Sequence, residues 1–173
     1  MSLTFVLGGA RSGKTRYALA EADRLAAEGG GRRVLLATAE ALDGEMAARI
    51  ARHQAERGPE WTTLEIPLAL PRAVAALQPR DVAVIDCLTL WLSNLMHAEA
   101  EIAEETQALI AALHQSPADA VILISNEVGQ GIVPDNALAR RFRDEAGWMH
   151  QAIAGAVDRM VVIQAGLPQV LKG

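Results

Sequence analysis

Leu3-Thr4-Phe5-Val6-Leu7 runs directly into Gly8-Gly9-Ala10-Arg11-Ser12-Gly13-Lys14-Thr15. A short apolar run, a glycine-bounded loop and the opening of an amphipathic segment follow one another without a gap. The loop satisfies the pattern G-x-x-x-x-G-K-[ST] in full. Gly8 and Gly13 admit backbone torsions that turn successive amide protons inward, making a nest the size of an anion. A helix opening near Lys14 adds the positive end of its dipole. Lys14 is placed to reach β- and γ-phosphates, and the Thr15 hydroxyl to ligate magnesium. Strand, phosphate cradle and helix are thus predicted in that order.

Residues 34–37, 82–85, 121–124 and 160–163 are further strand candidates. They are nearly continuous in Val, Ile, Leu and Ala instead of alternating with polar residues, as in strands buried on both faces of a parallel sheet. Helices are predicted over 14–27, 44–57, 88–114 (with room for a break) and 136–157. In the last, Leu138, Phe142, Met149, Ile153 and Ala156 recur at helical spacing as a buried stripe. Pro134 precedes it, where a missing amide proton does little harm. Gly29-Gly30-Gly31 reads as a surface turn. The alternation predicts an α/β fold with a mostly parallel sheet, formed as a single domain over 1–173.

The chain of 173 residues is long enough to bury its own core. Lys plus Arg number 16 against 21 Asp plus Glu, a net charge of −5. That balance argues against coating nucleic acid, so any phosphate should be held in a local pocket. Aromatic residues at 3% leave little for stacking single strands. A single cysteine, Cys87, excludes an internal disulfide and a Cys-built zinc site, and reads as a small core filler. No stretch approaches the ~20 apolar residues of a membrane span, and no basic-flanked signal core precedes Gly8. A cytoplasmic protein is expected.

Two further features carry chemistry. A second carboxylate is expected at the carboxyl end of a buried strand to hold a metal's water shell; Asp86 fits, with Glu127 as its rival. The lesser alternative for Asp86 is a cap on the next helix. The second feature is His53, which shares a helical face with Met46 and Ile50. It reads either as a satisfied core histidine or as a nucleophile whose neutral imidazole attacks phosphorus, with Arg49, Arg52 and Arg57 nearby to balance phosphate charge. Spacing alone leaves both open.

The cradle is joined by Ala37-Thr38-Ala39, by Glu45-Met46-Ala47-Ala48-Arg49-Ile50 with His53, and by Trp61-Thr62-Thr63-Leu64-Glu65. Further on come Asp86-Cys87-Leu88-Thr89, Asn94-Leu95 and Ser125-Asn126-Glu127-Val128-Gly129 with Gly131-Ile132-Val133-Pro134. Arg140, Phe142-Arg143-Asp144 and Gly166-Leu167-Pro168 complete the set. Together, and in this order, they closely resemble the bifunctional adenosylcobinamide kinase / adenosylcobinamide-phosphate guanylyltransferase family of cobalamin biosynthesis.

That resemblance implies a RecA-like P-loop fold and two reactions. A nucleoside triphosphate, ATP or GTP, phosphorylates the aminopropanol hydroxyl of adenosylcobinamide. GTP then guanylylates a histidine, and the GMP passes to the new phosphate to give adenosylcobinamide-GDP. The histidine maps onto His53, with Lys14 as the other catalytic residue. Nucleotide contacts map onto residues 8–15, Ala37, Thr38, Ala39, Gln54, Ala55, Glu56, Arg57, Glu65 and Asp86. Mg2+ would be held by Thr15 and Asp86, and Glu65 could accept from guanine N1–H and N2–H. The implied partners are the corrinoid and other copies of the chain, a trimer being the expected assembly. Gln130 and His150 depart from the Met and Asn expected there, and both are expected near the corrinoid side. A kinase lacking the histidine step and a nucleotide-dependent switch built on Arg140, Arg141 and Arg143 are the competing readings.

Overall fold

The computed structural model describes residues 1–39 and 58–173. Strands β1 (Ser2–Gly8), β2 (Arg32–Ala37), β3 (Trp61–Glu65), β4 (Asp81–Asp86), β5 (Ala120–Asn126), β6 (Arg159–Gln164) and β7 (Leu167–Lys172) form one sheet. Its order is β3-β2-β4-β5-β1-β6-β7. Every neighbouring pair is parallel except the terminal β6–β7 hairpin. Helices α1 (Lys14–Gly29), α2 (Leu70–Ala75), α3 (Leu88–His97), α4 (Ile102–Gln115) and α5 (Ala137–Ala156) cover its two faces.

Strand alternation sorts the core into two layers. Val6, Leu35, Val84, Ile122 and Ile124 face α1, whose buried Ala18, Ala22 and Ala26 form a thin stripe that lets the helix lie close to the sheet. Phe5, Leu36, Ile85 and Leu123 face the other way, onto Trp91 and Leu92 of α3, Leu109 of α4, and Met149 and Ile153 of α5. Full burial of each large side chain contributes roughly 1.5–3 kcal/mol. The apolar residues 88–96, equally suited by sequence to an oligomer contact, are largely core here: Leu88, Trp91, Leu92 and Leu95 are buried.

The five apolar runs are all strands, each longer than its run by two or three residues. The two strands with no run to announce them, β3 and β7, lie at the sheet's edges. All of β7 is exposed, so its residues need not be apolar on either face. The predicted helix over 88–114 is broken at 98–101. There Glu99 adopts φ 54° and the Ala100 amide donates back to Leu95 O at 3.0 Å, closing α3. The stripe on α5 is corrected at its start: Leu138 is 66% exposed, and the inward face runs through Phe142, Ala146, Met149, His150 and Ile153. Asn136 caps α5, its side chain accepting from the Ala139 amide at 2.7 Å. The helix predicted over 44–57 lies outside the described residues.

Candidate active site

The cradle stands where β1 hands over to α1, and each of its special residues has a local reason. A Cβ on Gly8 would fall 2.5 Å from Ser12 Oγ and 2.7 Å from Ile163 O, so only glycine fits. Gly13 holds φ 95° and Arg11 φ 55°, the left-handed torsions that curl the loop. The loop is pinned to its neighbours: Glu127 N donates to Gly8 O at 3.0 Å and Gly166 N to Ser12 O at 2.9 Å. Lys14 is buried, its Nζ donating to Gly9 O at 3.1 Å, which folds the ammonium back over the loop. Ser12 Oγ is buried without a hydrogen-bond partner. A buried hydroxyl lacking a partner costs about 1–3 kcal/mol, and an anion in the nest would satisfy it.

Register places the carboxylates. Glu65, Ala37 and Asp86 are successive partners across β3, β2 and β4, at the carboxyl ends of those strands. Asp86 pairs in turn with Ile124, and Gly8 with Asn126, so the cradle lies two strands from Asp86, roughly 10 Å along the sheet. By alternation with Val84, Asp86 stands on the α1 face, as Thr15 does at the start of that helix. Thr38 is fully buried. Its hydroxyl donates to Cys87 O (2.7 Å) and accepts from Cys87 N (2.8 Å), while its amide donates to Asp86 O (3.1 Å). Asn94 Nδ2 donates to Thr38 O at 2.8 Å. Thr38 therefore fixes the turn that carries Asp86. Cys87 is buried, and burial, with the Asp86 charge behind it, pushes its thiol above the usual range.

The end of β5 faces two ways. Asn126 Nδ2 donates to Thr89 Oγ1 at 2.6 Å, joining β5 to the first turn of α3. Ser125 Oγ and His150 Nε2 are 2.8 Å apart, and the imidazole packs on the Phe5 ring at a centroid distance of 5.6 Å. His150 is thus a core side chain and not part of a substrate surface, because its helix turns it onto the sheet. Burial lowers its pKa, with a smaller opposing effect from Glu127. Gln130 is exposed in the loop after β5. The late arginines are occupied locally: Arg140 on Pro134 O and Asp135 O, Arg141 with Glu145, and Arg143 with Asp144. His53, Gln54, Ala55, Glu56 and Arg57 lie outside the described residues. The Thr38 clamp and the Asn126–Thr89 link carry no sequence signal, since both join residues far apart in the chain.

An anion nest with a lysine folded over it, at the end of a central parallel strand and the start of a helix, defines a P-loop nucleotide-binding fold. A solved ATPase domain shares it with a TM-score of 0.55 over 93% of this chain and 68% of that one, at 12% identity. The chain belongs to the cobinamide kinase / cobinamide phosphate guanyltransferase family, whose model matches residues 4–171. It is similar to the bifunctional adenosylcobalamin biosynthesis protein CobP of Pseudomonas aeruginosa, with 48% identity covering 97% of this chain and 96% of that protein. It is likewise similar to CobU of Salmonella typhimurium (40% identity; 98% of this chain, 99% of that one) and CobU of Escherichia coli (37%; 98% and 99%).

Proposed function

We propose that this chain, as a single nucleotide-binding domain, is a cytoplasmic enzyme that phosphorylates adenosylcobinamide with ATP or GTP and then guanylylates the product through His53. The observation that carries this reading is the family match over nearly the whole chain, joined to a cradle whose Ser12 hydroxyl awaits a partner. No helix among the described residues is long and apolar enough to cross a membrane.

In the first reaction the triphosphate tail lies in the nest of residues 8–15, with Lys14 moved from Gly9 O onto the β- and γ-phosphate oxygens. The acceptor hydroxyl attacks the γ-phosphorus in line. The bond to the β–γ bridging oxygen breaks, the nucleoside diphosphate leaves with the electron pair, and the hydroxyl proton is released. Lys14 and the loop amides stabilise negative charge that grows on the transferring group. Thr15 and Asp86 offer hard oxygen donors suited to Mg2+, which would neutralise phosphate charge when bound. Ala37 and Ala39 flank the clamp that aims Asp86.

In the second reaction neutral His53 attacks the α-phosphorus of GTP and pyrophosphate departs. The phosphoramidate then yields its GMP to the phosphate of the acceptor, returning the imidazole. Gln54, Ala55, Glu56, Arg57 and Glu65 are the proposed contacts for this nucleotide, with Glu65 accepting from guanine. A homotrimer is the proposed assembly.

Incubation with GTP labelled at the α-phosphorus tests the reading. Acid-labile, base-stable label should appear on the wild type and vanish in His53→Ala, which should keep its kinase activity. Unlabelled, folded, kinase-active wild type would leave a simple kinase instead.

A further inference from the structure

A second cavity opens beside the cradle on the opposite face of the sheet from α1. It is a groove of about 490 Å3 between α3 and α5, lined by Ser93, Met96, Asn126, Val128, Leu138 and Phe142 among others. Four observations give it a role. Its inner wall includes Asn126, the register partner of Gly8, so it ends beside the phosphate nest. It lies at the carboxyl ends of β4 and β5, where open parallel sheets hold their ligands. Among the described residues no Asp, Glu, Lys or Arg lines it and His97 is the one ionisable side chain there, a lining too sparsely charged to favour a polyphosphate or a charged peptide. Its rim continues into an exposed apolar loop, with Ile132 at 98% and Val133 at 58% exposure beside Leu138 at 66%. Apolar surface so exposed, next to a polar-tipped groove, marks a binding face.

We propose that this groove receives the alcohol-bearing arm of the corrinoid acceptor and delivers its hydroxyl over the end of β5 to the phosphates. The inference rests on the kinase function proposed above and adds the acceptor's place to it. The nucleotide and the acceptor then reach the reacting phosphorus from opposite faces of one sheet, the geometry an in-line transfer needs. The groove is within the roughly 300–1,000 Å3 of small-molecule sites. It holds an arm and not a macrocycle, so the ring rests outside against Ile132, Val133 and Leu138. The Asn126 and Asn136 side chains at the groove's walls offer uncharged donors and acceptors to polar atoms of the arm.

Ser93→Phe fills the groove from α3, and Leu138→Asp places a charge on its rim at an exposed position that folding tolerates. Each variant is compared with wild type by equilibrium dialysis of the coloured corrinoid, by steady-state kinase kinetics, and by self-guanylylation with GTP alone. The expected result is a tenfold or greater loss of corrinoid affinity and a matching rise in its KM. The kcat should change little, and GTP labelling should match wild type. Unchanged affinity in a folded variant overturns the proposal. If affinity holds while sedimentation shows a changed assembly, the groove is a contact between copies of the chain and the proposal also falls. Wild type that neither binds nor phosphorylates the corrinoid would instead overturn the functional reading beneath it.

Discussion

The Asp81 network at the amino end of this sheet and the phosphate cradle at its carboxyl end bury polar groups to similar depth and treat them in opposite ways. At the amino end Asp81 is 2% exposed and fully engaged: it takes Arg32 Nε at 2.9 Å and a terminal Arg32 nitrogen at 2.8 Å on its two oxygens, and the Gln78 amide at 2.8 Å. Nearby, Asp158 accepts from the Leu3 amide at 2.8 Å. At the carboxyl end the buried Lys14 ammonium is turned onto a loop carbonyl at 3.1 Å, and Ser12 Oγ is buried with no hydrogen-bond partner. Folding energetics account for the amino end, since the buried Asp81 finds all its partners inside the chain. They do not account for the carboxyl end, where a buried hydroxyl is left costing stability. The triphosphate tail proposed for the nest would supply the difference.

Lys14→Ala should therefore break the carboxyl end's chemistry and leave the amino end intact. Removing a charge aimed at the transferring group costs roughly 10²–10³-fold in turnover. The kinase rate should fall by at least that much, while the thermal midpoint stays near wild type. A mutant with full activity would remove the cradle from the mechanism. Asp81→Ala should show the reverse profile. It leaves the Gln78 amide without its acceptor, at a cost of about 1–3 kcal/mol in denaturant melts, with turnover per folded molecule unchanged. Burial raises the Asp81 pKa and the bonds from Arg32 and Gln78 lower it, leaving it below the usual carboxylate range. Its contribution is thus present above the ordinary value and lost as pH falls through the folded one.

The same contrast explains what is legible in the sequence. The cradle is readable because all its determinants lie within residues 8–15, and the five inner strands because burial on both faces forces a continuous apolar run. Edge strands β3 and β7 escape that constraint, and Trp61-Thr62-Thr63-Leu64-Glu65 carries no such run. Asp86 is placed at the end of β4 by the strand before it. Its clamp has no such local sign, because Thr38 and Cys87 meet across 49 positions. His150 escapes a sequence reading for the same reason: a polar letter in a helix does not reveal Ser125 and Phe5 waiting on the strands beneath. Leu138 sits on the periodic face but lines an open groove, so spacing alone overestimates its burial.

His150 lies beneath the carboxyl end of the sheet yet has a partner of its own. If internal satisfaction, not position, divides the molecule, His150 should behave as structure. Burial depresses its pKa below the ordinary 6.5, so the unfolded chain binds a proton that the folded one refuses. Stability should then be full above pH 6.5 and decline as pH falls from there toward the folded value. His150→Asn should flatten that decline in melts between pH 5 and 7. Kinase KM for the corrinoid should not move. A changed KM with an unchanged pH profile would return His150 to the substrate side.

Ser12→Ala is the smallest expected effect and the most discriminating, because its two consequences have opposite signs. Alanine deletes a buried hydroxyl that nothing in the chain satisfies, so the ligand-free protein should gain up to about 1 kcal/mol. The neighbouring Gly8 leaves room for the smaller side chain, and the Gly166 amide still bonds to the Ser12 carbonyl at 2.9 Å. Nucleotide binding should weaken, since the anion loses one donor that the nest held ready for it. A hydroxyl with a purely structural task would lower both quantities together. Paired melts, with and without nucleotide, should therefore cross: the variant higher alone and lower when saturated. Curves that keep one order in both conditions would mean that this hydroxyl does not meet the phosphates, and that the unsatisfied atom marks no more than a local packing cost.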